Sequence, residues 1–235
     1  MEEIRMDHIP SSIGLEISNR CNYAKWHKDC PVDPGVDPVF LSTAIIEDVA
    51  KYLGSIKWQG SLYLNVFNEP MIDPRLFMLV ELIKKHCKTC TVQFYTNGWS
   101  LNQYMVTELT KIGVEMIFVS VYSDSEWQRF SKINGVVASR VELNKDVMTI
   151  YDQPPTCTGP CLFPSVYSMV NCYGEFVLCC RDYKYRHVLG DLNGVSFDEI
   201  LASDKRMEWC DRLASGDRFL DTCKRCSFPG WGVVK

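Results

Sequence analysis

The sequence lacks the features that would attach a chain to a membrane or to nucleic acid. It has no apolar run approaching the roughly 20 residues that are needed to span a bilayer. Its opening, MEEIRMDHIP, is acidic where a secretory signal would be basic and then apolar. The net charge of −4 gives no electrostatic attraction to nucleic acid or to an anionic membrane surface. We therefore expect a cytoplasmic protein that has neither nucleic acid nor a membrane as a partner.

Cysteine, in contrast, is abundant, with twelve residues in a chain of 235. Because the cytosol keeps thiols reduced, so many cysteines are not expected to form a disulfide framework, and metal binding becomes the leading explanation. Cys172 and Cys210 are expected to be small buried apolar residues instead.

Strand and helix signals alternate through the first 150 residues. The predicted strands, the last of them weak, are Ile13–Ser18, Ser61–Phe67, 91–98 with its turn, Val114–Tyr122 and Val147–Tyr151. The helix signals are an N-cap at Ser42, a start at Asp73-Pro74, and a capping box of Ser100 and Gln103 before a helix that ends at Gly113. This alternation predicts a parallel α/β sheet, either open or curled into a partial barrel.

Polar segments follow the predicted strands at the edge where such folds carry their sites. These segments are 21–30, Asn68–Pro70, Thr96–Gly98 and Ser120–Ser123. Cys87 and Cys90 form a C-x2-C pair at the opposite edge. They are either half of a zinc site or two buried thiols, and no second half is visible in the sequence there.

The character of the chain changes near Asp152. A proline-rich linker leads to two predicted strands, Val166–Asn171 and Phe176–Cys180, and Ser196 with Glu199 forms a capping box. We predict two units, residues 1–152 and 153–235. The second has few apolar residues, so a metal is expected to join its segments, and its cysteines supply more than the four thiolates that one cluster needs: Cys161, Cys179, Cys180, Cys223 and Cys226.

The order of the motifs along the chain resembles that of a known enzyme family. The chain resembles radical S-adenosylmethionine (SAM) enzymes that carry a shortened SPASM extension, the Twitch subdomain. The motifs that carry this resemblance are, in order, a cysteine at a strand end, FNEPMIDP, YTNG, and a final C-x17-C followed by C-x2-C. The size and layout resemble the 2-deoxy-scyllo-inosamine dehydrogenase family. GEFVLCCRDYKYRHVLGDL followed by DEI is the most specific segment. The resemblance implies a partial (β/α) barrel of parallel strands with a small C-terminal cysteine-rich subdomain of a β-hairpin and helix.

The resemblance also implies two four-iron clusters and a SAM site. Cys21 and Cys30 match the first and last ligands of the SAM-binding cluster. The residues implied to contact SAM are Asn68, Glu69, Pro70, Thr96, Asn97 and Ser120. The implied auxiliary-cluster ligands are Cys161, Cys179, Cys223 and Cys226, with Cys180 as an alternative to Cys179.

The loop CNYAKWHKDCP departs from the C-x3-C-x2-C spacing of that family. Lys25 stands where the middle cysteine is expected, and Asp29 replaces the usual aromatic residue. His27, however, lies three residues before Cys30, so the loop can be read as C-x5-H-x2-C with imidazole as the third iron ligand. The alternative is that His27 is a solvated loop residue and the motif is degenerate.

If the loop CNYAKWHKDCP holds a cluster, the resemblance implies that SAM is cleaved reductively to a 5′-deoxyadenosyl radical. This radical would start the oxidation of a sugar or aminocyclitol alcohol, and flavodoxin or ferredoxin would be the electron donor. Tyr122, Asp152 and Arg181 are guesses for groups near the substrate. Peptide modification is an alternative within the same enzyme class. The alternative outside this enzyme class is a non-catalytic scaffold protein that binds an iron–sulfur cluster or zinc.

Overall fold

The computed structural model describes residues 9–26, 30–141, 150–226 and 228, and the statements below concern these residues. One eight-stranded sheet, in the order β5-β4-β3-β2-β1-β6-β7-β8, forms the centre of the molecule. The strands are β1 Ser12–Leu15, β2 Ser61–Tyr63, β3 Thr91–Thr96, β4 Val114–Val121, β5 Val137–Arg140, β6 Tyr167–Val170, β7 Glu175–Val177 and β8 Val188–Asp191. Strands β1 to β6 run parallel, while β7 and β8 pair antiparallel at one edge.

Eight α-helices accompany the described strands. They are α1 Thr43–Ser55, α2 Leu76–His86, α3 Gln103–Ile112, α4 Asp124–Phe130, α5 Phe163–Val166, α6 Phe197–Leu201, α7 Asp204–Ala214 and α8 Asp221–Arg225, with short 3-10 helices at Pro70–Ile72 and Ile150–Asp152. None of the described helices is both long and apolar enough to cross a bilayer.

The main core lies between one face of the sheet and the helices. Alternate strand residues such as Ile13, Leu62 and Phe94 point into it, and α1 buries Ile45, Val49 and Leu53 against them. The predicted α/β class with a mostly parallel sheet is therefore confirmed. Curling of the sheet into a partial barrel stays a prediction.

The sheet continues through the second predicted unit. Strand β6 pairs parallel with β1, from Ser12 opposite Tyr167 to Leu15 opposite Val170, and only then does the chain turn back into β7. The C-terminal part therefore shares the backbone hydrogen bonds of the main sheet, which local sequence patterns could not reveal. The boundary between residues 152 and 153 stays a prediction.

Several local predictions were wrong. The weak strand Val147–Tyr151 is not formed at its described end, since Ile150 and Tyr151 lie in a 3-10 helix, and 142–149 fall outside the described residues. The strand beside β4 is β5 instead. Helix α3 is capped by Asn102, whose Oδ1 accepts from the Met105 N–H at 3.0 Å, rather than by Ser100. An amide and a hydroxyl both cap well, so the loop path decided between them.

Other local signals agree with the structure. Gly113 ends α3 in the left-handed conformation, at φ 112°, as glycine readily does. Ser196 and Glu199 form the predicted capping box at α6, with the Ser196 N–H donating to Glu199 Oε2 at 3.0 Å. Helix α2 ends at His86 as predicted, whereas its predicted start at Asp73-Pro74 was wrong, because the helix begins at Leu76.

Candidate active site

A polar cavity of about 170 Å³ lies at the carboxyl ends of the central strands. Loops that follow four neighbouring strands meet there, as expected for a parallel sheet. The lining residues are Cys21, Tyr23, Cys30, Asn65, Val66, Phe67, Asn68, Glu69, Tyr95, Thr96, Asn97, Ser120 and Tyr122. The structure thus brings together the segments that the sequence placed at this edge.

Glu69 is the best-anchored group of this polar cavity. Its side chain is 3% exposed, and its Oε1 accepts from the Thr96 hydroxyl at 2.6 Å and from the Met71 N–H at 3.0 Å. Its Oε2 accepts from the Asn97 N–H at 2.7 Å. Burial raises the pKa of this carboxyl, and the hydrogen bonds from Thr96, Asn97 and Met71 oppose that rise. A carboxylate offers about four acceptor positions, so the described residues leave one position on Oε2 for a ligand.

The neighbours of Glu69 stabilise the loops around it. The Asn68 side chain bonds to the backbone, accepting from the Val66 N–H at 3.2 Å and donating to the Leu64 carbonyl at 3.3 Å. Asn97 donates from Nδ2 to Asn22 Oδ1 at 2.8 Å, which joins the loop after β3 to the loop after β1. Asn68, Glu69, Thr96 and Asn97 therefore form one connected wall of the cavity, and the adjoining Pro70 is buried as the first residue of a 3-10 helix. Ser120, the remaining expected SAM contact, lines the same cavity.

Cys21 and Cys30 both line the polar cavity as free thiols. Burial raises the pKa of Cys21 to about 11, with a smaller contribution from the Glu69 charge, and burial also raises the pKa of Cys30. Lys25 is exposed between them. His27 and Asp29 lie outside the described residues, so imidazole ligation stays a prediction.

Sequence reasoning missed Tyr23 and Glu126 at this site. Glu126 accepts from the Tyr23 hydroxyl at 3.1 Å and from the Tyr122 N–H at 2.8 Å, which fixes the loop after β4 to the loop after β1. Burial raises the pKa of Tyr122 to about 12, so this phenol stays protonated at neutral pH. A capping pattern, Ser123 followed three residues later by Glu126, was the available signal, and Ser123 Oγ does accept from the Glu126 N–H at 3.2 Å.

A second cavity, which we call the thiol cavity, has a volume of about 230 Å³. Its lining residues are Cys161, Phe163, Pro164, Cys179, Cys180, Arg181, Arg218, Thr222, Cys223, Cys226 and Phe228. The four cysteines implied as auxiliary ligands, together with Cys180, therefore come from three separate segments of the chain to one place.

Burial dominates the electrostatics of the thiol cavity. It raises the pKa of Cys223 to about 12 and that of Cys179 well above its usual value. The Arg218 guanidinium acts in the opposite direction on Cys161 and Cys223. Arg218 is itself held by the Gly159 carbonyl at 2.7 Å and the Pro160 carbonyl at 3.0 Å. A positive group fixed beside several thiols favours an anionic thiolate assembly.

This donor set fits a cluster better than a single ion. Within the described part of the chain, no three His, Cys, Asp or Glu side chains are arranged to hold one metal ion. Sulfurs around a single zinc would lie only about 3.8 Å apart, since Zn–S is about 2.3 Å. Five thiols that line a cavity of about 230 Å³ supply the number of donors and the space that a cluster of several bridged irons needs.

The loop after Cys179 is fixed by a buried carboxylate that the sequence did not single out. Asp182 is fully buried, accepts from the Tyr151 and Thr222 hydroxyls, and accepts from the His187 N–H at 2.7 Å. These contacts tie the loop between β7 and β8 to α8, which carries Cys223. No local motif marks such a long-range bond.

The three residues that were predicted to lie near a substrate do not lie together in the structure. Tyr122 lines the polar cavity, and Arg181 lines the thiol cavity with its guanidinium 5.4 Å from the Phe228 ring centroid. Asp152 is exposed at the end of a 3-10 helix and lines neither of the two cavities.

Of the five cysteines that line neither cavity, four are buried and Cys157 is partly exposed. Cys172 and Cys210 are buried as expected. Cys87 and Cys90 are also buried, with Cys90 Sγ 3.1 Å from the Cys87 carbonyl oxygen and Cys87 Sγ 3.9 Å from the Trp58 carbonyl oxygen. All twelve cysteines lie in the described part of the chain, and none forms a disulfide.

Comparison with known proteins agrees with the expected resemblance. Residues 161–227 match the family model described as SPASM, an iron-sulfur cluster-binding domain. The chain is 21% identical over 240 residues to the S-adenosyl-L-methionine-dependent 2-deoxy-scyllo-inosamine dehydrogenase of Niallia circulans, covering 94% of each protein. The predicted resemblance to a radical SAM dehydrogenase with a SPASM-type extension is therefore confirmed.

Solved structures show the same fold. The crystal structure of BtrN in complex with AdoMet and 2-DOIA matches with a TM-score of 0.81 at 21% identity, over 94% of both chains. A structure of BtrN in an open conformation matches with a TM-score of 0.74, also at 21% identity and over 94% of both chains. A structure of anSMEcpe with bound AdoMet matches with a TM-score of 0.56 at 13% identity, over 95% of this chain and 88% of the other.

Proposed function

We propose that the protein is a radical SAM oxidoreductase that oxidises an alcohol of a sugar or aminocyclitol. The observation that carries the proposal is the pair of thiol-lined cavities, one of which places Cys21 and Cys30 beside the buried carboxylate of Glu69. The name of the Niallia circulans relative, a SAM-dependent dehydrogenase, supports the same reaction class. The fold, including a partial barrel, and a cytoplasmic location are part of this proposal.

In the polar cavity, Cys21 and Cys30 would hold a four-iron cluster together with His27. When bound, the cluster supplies the electron that cleaves SAM to methionine and a 5′-deoxyadenosyl radical, which removes hydrogen from the substrate. Glu69 would bind the SAM ammonium through the open acceptor position on Oε2. Thr96 and Asn97 keep that carboxylate in place through their hydrogen bonds. Ser120 at the end of the neighbouring strand β4 and the protonated phenol of Tyr122 just after it would orient the ligand.

In the thiol cavity, Cys161, Cys179, Cys223 and Cys226 would hold the auxiliary cluster, with Cys180 as the alternative to Cys179. With four thiolate ligands no iron would be open to bind the substrate. This cluster would instead accept the electron that the substrate radical loses, while the hydroxyl proton of that radical passes to water. Arg181 and Arg218 would balance the negative charge of the assembly. The external electron donor would be flavodoxin or ferredoxin.

Reconstitution without oxygen tests the proposal. The reduced protein is expected to bind about eight irons, as two four-iron clusters, and to convert SAM slowly to methionine and 5′-deoxyadenosine even without substrate. Cys30→Ala should abolish deoxyadenosine formation while the auxiliary iron remains. His27→Ala should have the same effect if imidazole is a ligand, and Lys25→Ala is the matched control in the same loop.

A negative result needs a second reductant, because a histidine ligand raises the potential of a cluster. Dithionite should therefore be followed by a stronger reductant. If only one cluster or zinc is bound and no deoxyadenosine forms with either reductant, the protein is a metal-binding scaffold and the enzyme proposal fails.

A further inference from the structure

The residues on both sides of Cys21 are bonded to other loops of the polar cavity. The Arg20 carbonyl accepts from the Glu69 N–H at 2.8 Å, which joins this segment to the loop after β2. Asn22 Oδ1 accepts from Asn97 Nδ2 at 2.8 Å, which joins it to the loop after β3. Hydrogen bonds therefore fix both sequence neighbours of Cys21.

Tyr23 adds a third contact, to helix α4 and the loop before it. Its hydroxyl donates to Glu126 Oε1 at 3.1 Å, and Glu126 Oε2 accepts from the Tyr122 N–H at 2.8 Å. The Tyr23 and Tyr122 rings also lie beside each other, with their centroids 5.6 Å apart. One carboxylate thus joins the segment that carries Cys21 to the end of β4.

The start of α4 places Glu126 for this contact. Ser123 is the N-cap of the helix and Glu126 is its third residue, and in a capping box this glutamate bonds back to the N–H of the N-cap. Here it bonds one residue further back, to the Tyr122 N–H. Only one carboxylate oxygen serves this local contact, and the other accepts from Tyr23, which is 103 positions away in the chain.

The same helix holds the loop after β3. Arg129 Nη2 donates to the Trp99 carbonyl at 3.3 Å. The Phe130 ring lies so close to Gly98 that an added Cβ there would be 2.3 Å from a ring carbon. Gly98 directly follows the two residues of this loop that bond to Glu69. Helix α4 therefore connects the segment around the first thiol with the loop that holds the buried carboxylate.

The first part of the loop CNYAKWHKDCP has a folded backbone. The Ala24 N–H donates to the Cys21 carbonyl at 3.3 Å, and the Trp26 N–H donates to the Tyr23 carbonyl at 2.9 Å. The whole loop is two residues longer than C-x3-C-x2-C. A longer loop loses more conformational entropy when it is ordered around a metal. The turns over residues 21–26 and the bond from Tyr23 to α4 reduce that loss.

We propose that Tyr23 and Glu126 are positioning residues of the SAM-binding cluster, and that their hydrogen bond holds the Cys21 thiol where it ligates iron. This inference rests on the proposed function and adds two residues that are not iron ligands. A hydrogen bond to a carboxylate is stronger than one between neutral groups. Its loss should therefore speed the release of the iron that Cys21 holds.

Iron release tests the inference on the protein reconstituted without oxygen. In an excess of a ferrous-iron chelator, Tyr23→Phe should lose about four of its roughly eight irons about tenfold faster than the parent protein, because only the hydroxyl is removed. The other irons should leave at the parent rate. Tyr104→Phe, which removes a phenol hydroxyl from a side chain 70% exposed on α3, is the matched control and should match the parent.

The carboxylate partner is tested in the same assay. Glu126→Gln should also speed the release of about four irons, because an amide has one acceptor oxygen for the two donors. The double variant of Tyr23→Phe and Glu126→Gln should release iron no faster than the faster single variant, since both changes break one contact.

Two further measurements separate positioning from a general loss of stability. Cys30→Ala is expected to keep only the auxiliary iron, and adding Tyr23→Phe to it should not change the rate of iron release. The electron paramagnetic resonance spectrum of the reduced SAM-binding cluster should change in Tyr23→Phe, while that of the auxiliary cluster should stay as in the parent protein.

Four results would overturn the inference: parent-like iron release from Tyr23→Phe, equally faster release of the auxiliary iron, an unchanged spectrum, or additive effects of Tyr23→Phe and Glu126→Gln. It also fails if Cys21→Ala keeps all the iron. Substrate-free SAM cleavage by the parent protein, measured on the same preparation, reports separately on the proposed function. A parent protein that holds both clusters but forms no deoxyadenosine contradicts the enzyme and leaves the positioning contact intact.

Discussion

The two cavities are built by different means, although both carry cysteines. The polar cavity is held by hydrogen bonds between loops, with Glu69 at their centre, and it contains two thiols. The thiol cavity contains five thiols from three segments, with aromatic and arginine side chains between them. The first can keep its shape through its own hydrogen bonds. The second is expected to depend for much of its cohesion on the group that its thiolates bind.

The largest expected effect is at the thiol cavity. Cys226→Ala should lower the bound iron from about eight to about four per chain and make the C-terminal segment sensitive to protease, because one thiolate of the auxiliary site is lost. Iron analysis and limited proteolysis measure this. Cys210→Ala, which removes a buried cysteine outside the cavity, is the matched control and should keep all the iron. Full iron in Cys226→Ala would remove this residue from the ligand set.

An intermediate effect is expected at the polar cavity. Glu69→Gln replaces a carboxylate that accepts three hydrogen bonds by an amide that cannot accept them all, and it removes the charge proposed to bind SAM. We expect SAM affinity to fall by more than about tenfold and the free energy of unfolding to fall by about 1–3 kcal/mol. Calorimetry and urea denaturation measure the two effects.

Glu81→Gln, on the exposed side of α2, is the control and should change neither quantity. If Glu69→Gln binds SAM like the parent protein, the open acceptor position on Oε2 is not used by the ligand.

The smallest effect is expected at Gly14 in β1, against which the Tyr167 ring lies. Gly14→Ala would force the Tyr167 ring away from β1, which should lower the free energy of unfolding by about 1–3 kcal/mol. Gly194→Ala is the control, since no heavy atom lies within 4 Å of its added Cβ, and it should change stability by less than about 0.5 kcal/mol. Equal stability of the two variants in urea denaturation would show that the Tyr167 ring moves without cost.

Local sequence rules predicted the parts of the fold that depend on neighbouring residues. The helix stop at Gly113 and the capping box of Ser196 with Glu199 involve residues within one turn, so their signals were readable. The choice of Asn102 over Ser100 was not, because both residues can cap and the path of the preceding loop decided. Strand β5 was also missed, since Val137–Arg140 has only partly buried or exposed residues and gives no clear apolar alternation.

The sequence by itself determined the alternation of strands and helices, the edge of the sheet that carries the site, and the cysteines available to each cavity. These follow from apolar periodicity and from the rule that parallel strands end at one edge. Only the tertiary structure decided that β6 extends the sheet beside β1, and that Asp182 fixes the loop between β7 and β8 to α8. It also decided that the Tyr167 ring lies over Gly14 and contacts Tyr63. Each of these joins residues far apart in the chain, and the physical reason is the same: such a contact depends on how packed elements cross, which no local pattern of residues records.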